Sequence, residues 1–154
     1  LDDGHVGREK YEWMEDCLNT DDFKVVALHH HLIPIPKTGR ERSIPTDAGD
    51  ILELLTRNGV DLVLCGHKHV PWVWDLNGMI ITNAGTACTN RVKCRIPQSF
   101  NLIELDEGER RIKIYRMYSK GGHELVLDRK CAVKRLCPAT HSNAMARCGS
   151  SRHE

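Results

Sequence analysis

The side chains best suited to chemistry are histidines, of which the 154-residue chain has nine. His29, His30 and His31 follow directly after one short apolar run, and His67 and His69 follow another. Neutral imidazole is the commonest side-chain ligand of divalent metal ions, so these two groups predict a metal site if the fold brings them together. The alternative is that one or two of the rings only hydrogen-bond to loop carbonyls.

The segments before the two histidine groups are typical of a βαβ unit. Phe23–Leu28 and Val60–Cys65 each predict a strand buried on both faces. Between them, Thr46 is predicted as the N-cap of a helix that ends at Asn58-Gly59. A connection of this length favours parallel strands. The carboxyl ends of adjacent parallel strands share one edge of a sheet, so both histidine groups are expected at that edge.

The remaining segments predict a helix and two hairpins around this unit. Helical spacing of apolar residues predicts a helix over Gly7–Leu18. From about Asp128 onward the sequence is basic and without periodicity, and residues 129–154 are predicted to be a disordered tail, which leaves a domain of residues 1–128. The fold class predicted is α/β. The hairpins are expected at Trp72–Asp75 with Met79–Thr82, around the turn signal Asn77-Gly78, and at Phe100–Leu105 with Arg111–Tyr118.

The composition excludes several classes of partner. The formal net charge is +1, which makes a nucleic-acid partner improbable, and no apolar run approaches the roughly 20 residues that a membrane span needs. The seven cysteines include no C-x-x-C pair, so they are expected to be reduced, and the chain is expected to be cytoplasmic. The chain starts at Leu1, without a signal peptide or a Met, and could lack its true beginning.

Three segments together resemble a known family, the calcineurin-like metallophosphoesterases. They are Val25–His30, Leu62–His69 and Asn83–Thr86. The resemblance runs from about Asp2 to Tyr118 and is greatest for the branch related to bacterial cyclic-nucleotide phosphodiesterases. It implies a metallophosphoesterase-type α/β sandwich and hydrolysis of a phosphodiester or phosphomonoester.

The resemblance also implies roles for individual residues. His29 and His67 match ligands of one metal ion, and His69 matches a ligand of its neighbour. In the family two divalent ions, typically manganese, iron or zinc, hold a bridging hydroxide that attacks phosphorus. His30 lies where a histidine behind the ligands or beside the substrate is often found, whereas His31 replaces the usual proline.

Half of the family's site is missing from the sequence. The family takes its other ligands and its general acid from D-x-H, G-D-x-x-D/H and G-N-H-D/E motifs. Asp3-Gly4-His5 and Gly49-Asp50 have part of this spacing, but they are expected at a turn and a helix start. Residues 1–128 therefore resemble the C-terminal half of such a domain, with no catalytic residue of its own. Because two ions need an anionic bridge, we expect at most one weakly bound metal and little hydrolysis.

The sequence leaves three questions open. The chain could be a non-catalytic truncated relative that acts as a binding or interaction module. If it serves an enzyme, the expected partner is a small phosphoester or a nucleotide, and the oligomeric state is unknown. Lys37, Arg40 and Arg42 could contact a phosphate or belong to a solvated loop. A zinc site is also conceivable from ligand type alone, at Cys131, Cys137, His141 and Cys148.

Overall fold

The structure is a computed structural model that describes residues 4–39, 43–89, 94 and 96–131. Within those residues a 3₁₀ turn, Arg8–Lys10, leads into the first helix. No helix in the described part of the chain is long and apolar enough to cross a membrane. The helices are α1 (Tyr11–Leu18) and α2 (Ala48–Arg57), and the strands are β1 (Val25–Ala27), β2 (Leu62–Cys65), β3 (Trp72–Leu76), β4 (Met79–Asn83), β5 (Ser99–Asp106), β6 (Arg111–Tyr118) and β7 (His123–Lys130).

The predicted βαβ unit is confirmed as part of a four-stranded sheet. The strand order is β1-β2-β4-β3. β1, β2 and β4 are parallel, with Val26 opposite Val63 and Val63 opposite Ile81. β3 runs antiparallel to β4, as the Asn77-Gly78 turn predicts. β5, β6 and β7 form a second, antiparallel sheet.

The elements stack in three layers, which gives the mixed α/β sandwich. Side chains alternate along the central strands because successive residues of a strand point to opposite faces. Val63 and Ile81 face α1 and α2, and Leu62 and Ile80 face the three-stranded sheet. The fully buried side chains of the helical side include Ile51, Leu55 and Val60, and those of the sheet side include Ile112 and Ile114.

The prediction that β1 is buried on both faces is wrong. Val25 is 43% exposed and Ala27 is also exposed. The reason is topological, since β1 is the outermost strand and pairs only with β2 among the described residues. Its composition is that of an interior strand, but its position is that of an edge strand.

The prediction of Thr46 as a helix cap is also wrong, because Asp47 precedes α2. Neither residue caps the helix with its side chain. The Asp47 carboxylate instead accepts hydrogen bonds from the backbone N–H groups of Val6 and Gly7 and from the Tyr11 hydroxyl. Asp47 therefore ties the N-terminal segment to the start of α2.

β7 is absent from the sequence-based expectations. Most of its side chains are exposed, so it lacks the apolar alternation that predicts a strand. Pairing along β6 stabilises it, together with ion pairs such as Arg111–Asp128 and Arg116–Glu124. The predicted domain boundary at residue 128 thus lies inside a strand that continues to Lys130, and the rest of the predicted tail lies outside the described residues.

A buried ion pair links the two sheets. Asp61, which is 0% exposed, accepts two hydrogen bonds from the Arg110 guanidinium at 2.8 and 2.9 Å. The same carboxylate accepts the backbone N–H of Lys24 at 3.0 Å. The pair fixes the β5–β6 turn against the start of β2.

Candidate metal centre

The fold brings His29 and His67 together at the carboxyl edge of the four-stranded sheet. His29 lies just beyond β1, and Gly66 leads from β2 into His67. The Gly66 N–H donates to the His29 carbonyl at 3.1 Å, so a hydrogen bond links the segment that follows β1 to the segment that follows β2. The His29 Nε2 and His67 Nδ1 atoms are 3.1 Å apart. The convergence expected from parallel strands is present.

His30 completes a cluster of three imidazoles. One ligand atom each from His29, His30 and His67 lies within 4.8 Å of the others. The rings of His30 and His67 have centroids 4.4 Å apart. The His30 Nε2 atom is buried and has no hydrogen-bond partner among the described residues. A buried nitrogen of this kind is costly unless it is bound, so it fits a ligand or a metal ion.

Gly4 lies directly behind the His30 ring. A Cβ atom at this position would lie 2.7 Å from His30 Nδ1. Only a residue without a side chain allows this approach. The N-terminal segment therefore forms one wall of the histidine cluster, although its spacing suggested only a turn.

The backbone at His67 and His69 is strained. Their φ angles are 68° and 58°, in the left-handed region that residues with a side chain rarely adopt. Such conformations persist where surrounding structure enforces them, and they concentrate at functional sites. Asn83, at the end of β4, donates to the Val70 carbonyl at 2.6 Å and so anchors the chain just after His69.

His69 and His31 occupy different places from the cluster. His69 is exposed, and the described part of the chain assembles no second group of three donors around it. Its predicted role at a neighbouring ion stays a prediction. His31 is 2% exposed, and its ring stacks on that of His67 with centroids 6.5 Å apart. His31 is thus a wall residue of the cluster.

The electrostatics favour neutral imidazole at His67. Burial lowers its pKa, and the nearby His30, His29, His31 and Lys68 lower it further. Neutral imidazole is the form that binds metal ions. The cluster contains no carboxylate among the described residues. Three imidazoles fit one divalent ion with room for a further ligand, but not a pair of ions that needs an anionic bridge.

His5 is a site residue that the sequence reasoning missed. Its Nδ1 atom lies 3.1 Å from Thr46 Oγ1 and 3.3 Å from Asp47 Oδ2. With His29 and His30 it lines a cavity of about 180 Å³. Nothing in the local sequence could reveal this, because the contacts join residues about 41 positions apart.

The Asp47 carboxylate beside His5 is held in its ionised form. Burial alone would raise the pKa of Asp47, but hydrogen bonds from Gly7, Val6 and Tyr11 outweigh it and lower that pKa. Burial and the same carboxylate raise the pKa of Tyr11 to about 12. A carboxylate therefore lies beside the His5 ring at neutral pH.

Lys37 and Cys131, the other predicted candidates that the structure describes, lie outside the histidine cluster. Lys37 is exposed in the loop after the histidine triplet, and Cys131 is buried beside the end of β7. The remaining predicted phosphate and zinc contacts, Arg40, Arg42, Cys137, His141 and Cys148, lie outside the described residues.

Comparison with solved structures shows which fold this is. GAP50 of Plasmodium, described as the anchor in the inner membrane complex, superposes with a TM-score of 0.60 at 21% identity. The match covers 82% of this chain and 43% of GAP50, so this chain spans less than half of that protein. This likeness shows a shared fold.

Two further structures superpose less well. A conserved uncharacterised protein of Streptococcus pneumoniae, described as a predicted phosphoesterase, gives a TM-score of 0.42 at 14% identity, covering 82% of this chain and 94% of that one. Wild-type Vps29 of Entamoeba histolytica, solved with zinc, gives 0.39 at 24% identity, covering 66% and 52%.

Sequence comparison identifies the segment that carries the histidines. No curated protein matches the chain. The family described as calcineurin-like phosphoesterase matches residues 1–71, a segment that contains His29, His30 and His67.

Proposed function

We propose that the chain is the histidine-bearing part of a metal-dependent phosphoesterase. The observation that carries this proposal is the convergence of three imidazoles, with ligand atoms within 4.8 Å, at the carboxyl edge of parallel strands. The match of residues 1–71 to the calcineurin-like phosphoesterases supports the same reaction class. The branch we favour is the one related to cyclic-nucleotide phosphodiesterases, with a small phosphoester or nucleotide as substrate and a cytoplasmic location.

In this proposal His29 and His67 hold one divalent ion, and His69 contributes to a second ion in the complete enzyme. When bound, such ions neutralise charge on the phosphate and acidify a water molecule, and manganese, iron and zinc are all suitable. The histidines supply neutral nitrogen donors in a fixed arrangement. His30 lies beside them, where it either joins the ligands or contacts the substrate.

The missing carboxylates would come from polypeptide that pairs with β1. Val25 is 43% exposed and Trp13 is 66% exposed along this edge. Together with Met14 and Leu18 these residues line a groove of about 460 Å³. A strand placed here would end beside His29, since parallel strands share their carboxyl edge. We therefore infer that the chain corresponds to the C-terminal half of a metallophosphoesterase domain.

A non-catalytic binding module is the second candidate. The observation in its favour is that the described residues place no carboxylate in the histidine cluster. GAP50, which shares the fold, is described as an anchor rather than as an enzyme. A module of this kind would keep the fold and the surface without turnover.

Metal titration of the isolated chain tests the proposal. Isothermal titration calorimetry with Zn²⁺ and with Mn²⁺ should give about one site per chain, and His29→Ala or His67→Ala should weaken binding at least 10-fold. His123→Ala, at the exposed start of β7, is the matched control and should bind as the wild type does. Unchanged binding in His67→Ala would refute the proposal.

Turnover separates the two candidates. With added Mn²⁺, bis(4-nitrophenyl) phosphate should be hydrolysed poorly or not at all by the isolated chain, because the anionic bridge is missing. Addition of a polypeptide that carries the missing carboxylates should restore turnover if the chain is part of an enzyme. Robust hydrolysis by the isolated chain that His67→Ala abolishes would contradict the half-site view.

A further inference from the structure

The strongest unassigned feature is His5, whose side chain is 60% exposed and lines the same cavity as His29 and His30. Its Nδ1 atom is held by Thr46 Oγ1 at 3.1 Å and by Asp47 Oδ2 at 3.3 Å. The Thr46 hydroxyl can donate to Nδ1 or accept from it, so this hydrogen bond fits either tautomer of the ring. No hydrogen bond within the described residues occupies Nε2, which leaves that nitrogen for a bound molecule.

The surroundings of His5 suit an anion. The cavity of about 180 Å³ that it lines with His29 and His30 has no carboxylate among its lining residues. The charged and titratable groups near His5 in the described chain are His29 and His30 in the cavity, Asp47 at 3.3 Å from Nδ1, and Lys10, which lines a second groove together with His5. The Asp47 side chain is only 8% exposed and its oxygens are fixed by backbone donors, so it orients the ring without moving.

We propose that His5 contacts a phosphoryl oxygen of the substrate, with Asp47 and Thr46 as positioning residues, an inference that rests on the proposed function. When the Thr46 hydroxyl donates to Nδ1, the Nε2 atom carries a hydrogen that can be donated to a phosphoryl oxygen. His5 would thus contact the substrate even in this chain alone, without the carboxylate ligands that the proposed enzyme also requires.

The test uses the zinc-loaded chain and phenylphosphonate as a non-hydrolysable phosphoester mimic. His5→Ala should weaken phenylphosphonate binding about 10-fold or more, because it removes a hydrogen bond to a charged group. Thr46→Val, which removes only one of the two anchors of the ring, should cause a smaller loss of about threefold. His123→Ala is the control and should bind as the wild type does. Zinc affinity should change less than about twofold in each variant, since none of these residues belongs to the ligand cluster.

Each outcome decides the inference. Equal phenylphosphonate affinity in His5→Ala and wild type, with zinc bound in both, overturns the role of His5 and leaves the proposed metal site intact. Zinc binding without phenylphosphonate binding in the wild type also overturns it. Absence of zinc binding by the wild type refutes the proposed function and this inference together, and the zinc titration shows this before phenylphosphonate is added.

Discussion

At the scale of single residues, His67 has the properties expected of a metal ligand that is already positioned before the ion binds. Its backbone is in the left-handed region, its pKa is lowered by burial and by its neighbours, and its ring meets three other imidazoles. A pre-positioned neutral ring loses little conformational entropy when it binds an ion. His67 is therefore the residue on which the metal site depends most.

Gly4 provides a test of how His30 is positioned. Gly4→Ala would place a methyl group 2.7 Å from His30 Nδ1, so the ring must shift. We expect zinc affinity to fall about 10-fold, as is usual when a residue that orients a ligand is changed. Calorimetric titration with Zn²⁺ measures this.

Gly49→Ala is the matched control for this substitution. Gly49 lies in α2 and a Cβ there meets nothing within 4 Å. The change should leave zinc affinity unchanged and should not lower stability, since alanine is favoured over glycine in a helix and Gly49 is the second residue of α2. Equal zinc affinity of Gly4→Ala and wild type would show that the close contact with Gly4 does not position the His30 ring for metal binding.

The sequence predicted part of this site and missed part of it. The meeting of His29 and His67 follows from parallel strands, which the βαβ pattern indicates. His30 was expected beside the ligands, but the local pattern could not show that its ring rather than that of His31 supplies the third nitrogen, because this depends on how the chain turns after β1. The place of His5 depends on contacts with Thr46 and Asp47 far along the chain.

At the scale of elements, Asp47 joins the N-terminal segment to α2. Its carboxylate accepts from two backbone N–H groups and from Tyr11. Its pKa is lowered in the folded chain. A lowered pKa contributes stability that is present above the unfolded pKa and is lost as the pH falls through the folded pKa.

Asp47→Asn should therefore destabilise the fold in a pH-dependent way. We expect a loss of about 1–3 kcal/mol in the free energy of unfolding near neutral pH, because the donors lose their ionised acceptor. The difference from wild type should shrink as the pH falls below the pKa of an unfolded aspartate and through the lowered pKa of folded Asp47. Urea unfolding between pH 3 and pH 7 measures both curves, and a difference that does not depend on pH would contradict this role.

The elements themselves were predicted to different degrees. The strands β2 and β4 and both helices follow from apolar patterns, because their side chains pack into one core. The mostly exposed β7 was missed because cross-strand pairing, which a local pattern does not contain, stabilises it. The prediction that β1 is buried was wrong because the burial of a strand depends on whether another strand lies beside it.

At the scale of the whole molecule, β1 is an edge strand of the four-stranded sheet and exposes the apolar side chain of Val25. Unpaired edge strands with exposed apolar side chains associate with other chains. We expect the isolated chain to self-associate at micromolar concentration, and Val25→Lys to reduce this association by introducing a charge at the edge. Multi-angle light scattering measures the mass of both proteins.

Leu125→Lys is the control for this experiment. Leu125 is 52% exposed on β7, an edge strand of the other sheet that already carries Glu124, Asp128, Arg129 and Lys130. A lysine there should change association little. A wild-type chain that is a monodisperse monomer at all concentrations would show that the β1 edge is not an association surface.

Zinc K-edge X-ray absorption of the zinc-loaded chain tests the central claim most directly. The account predicts a first shell of nitrogen and oxygen donors at about 2.0–2.1 Å, with the imidazole signal reduced in His29→Ala and in His67→Ala. A shell dominated by sulfur at about 2.3 Å would place the ion on cysteines instead, and would contradict a metal site at the edge of the sheet.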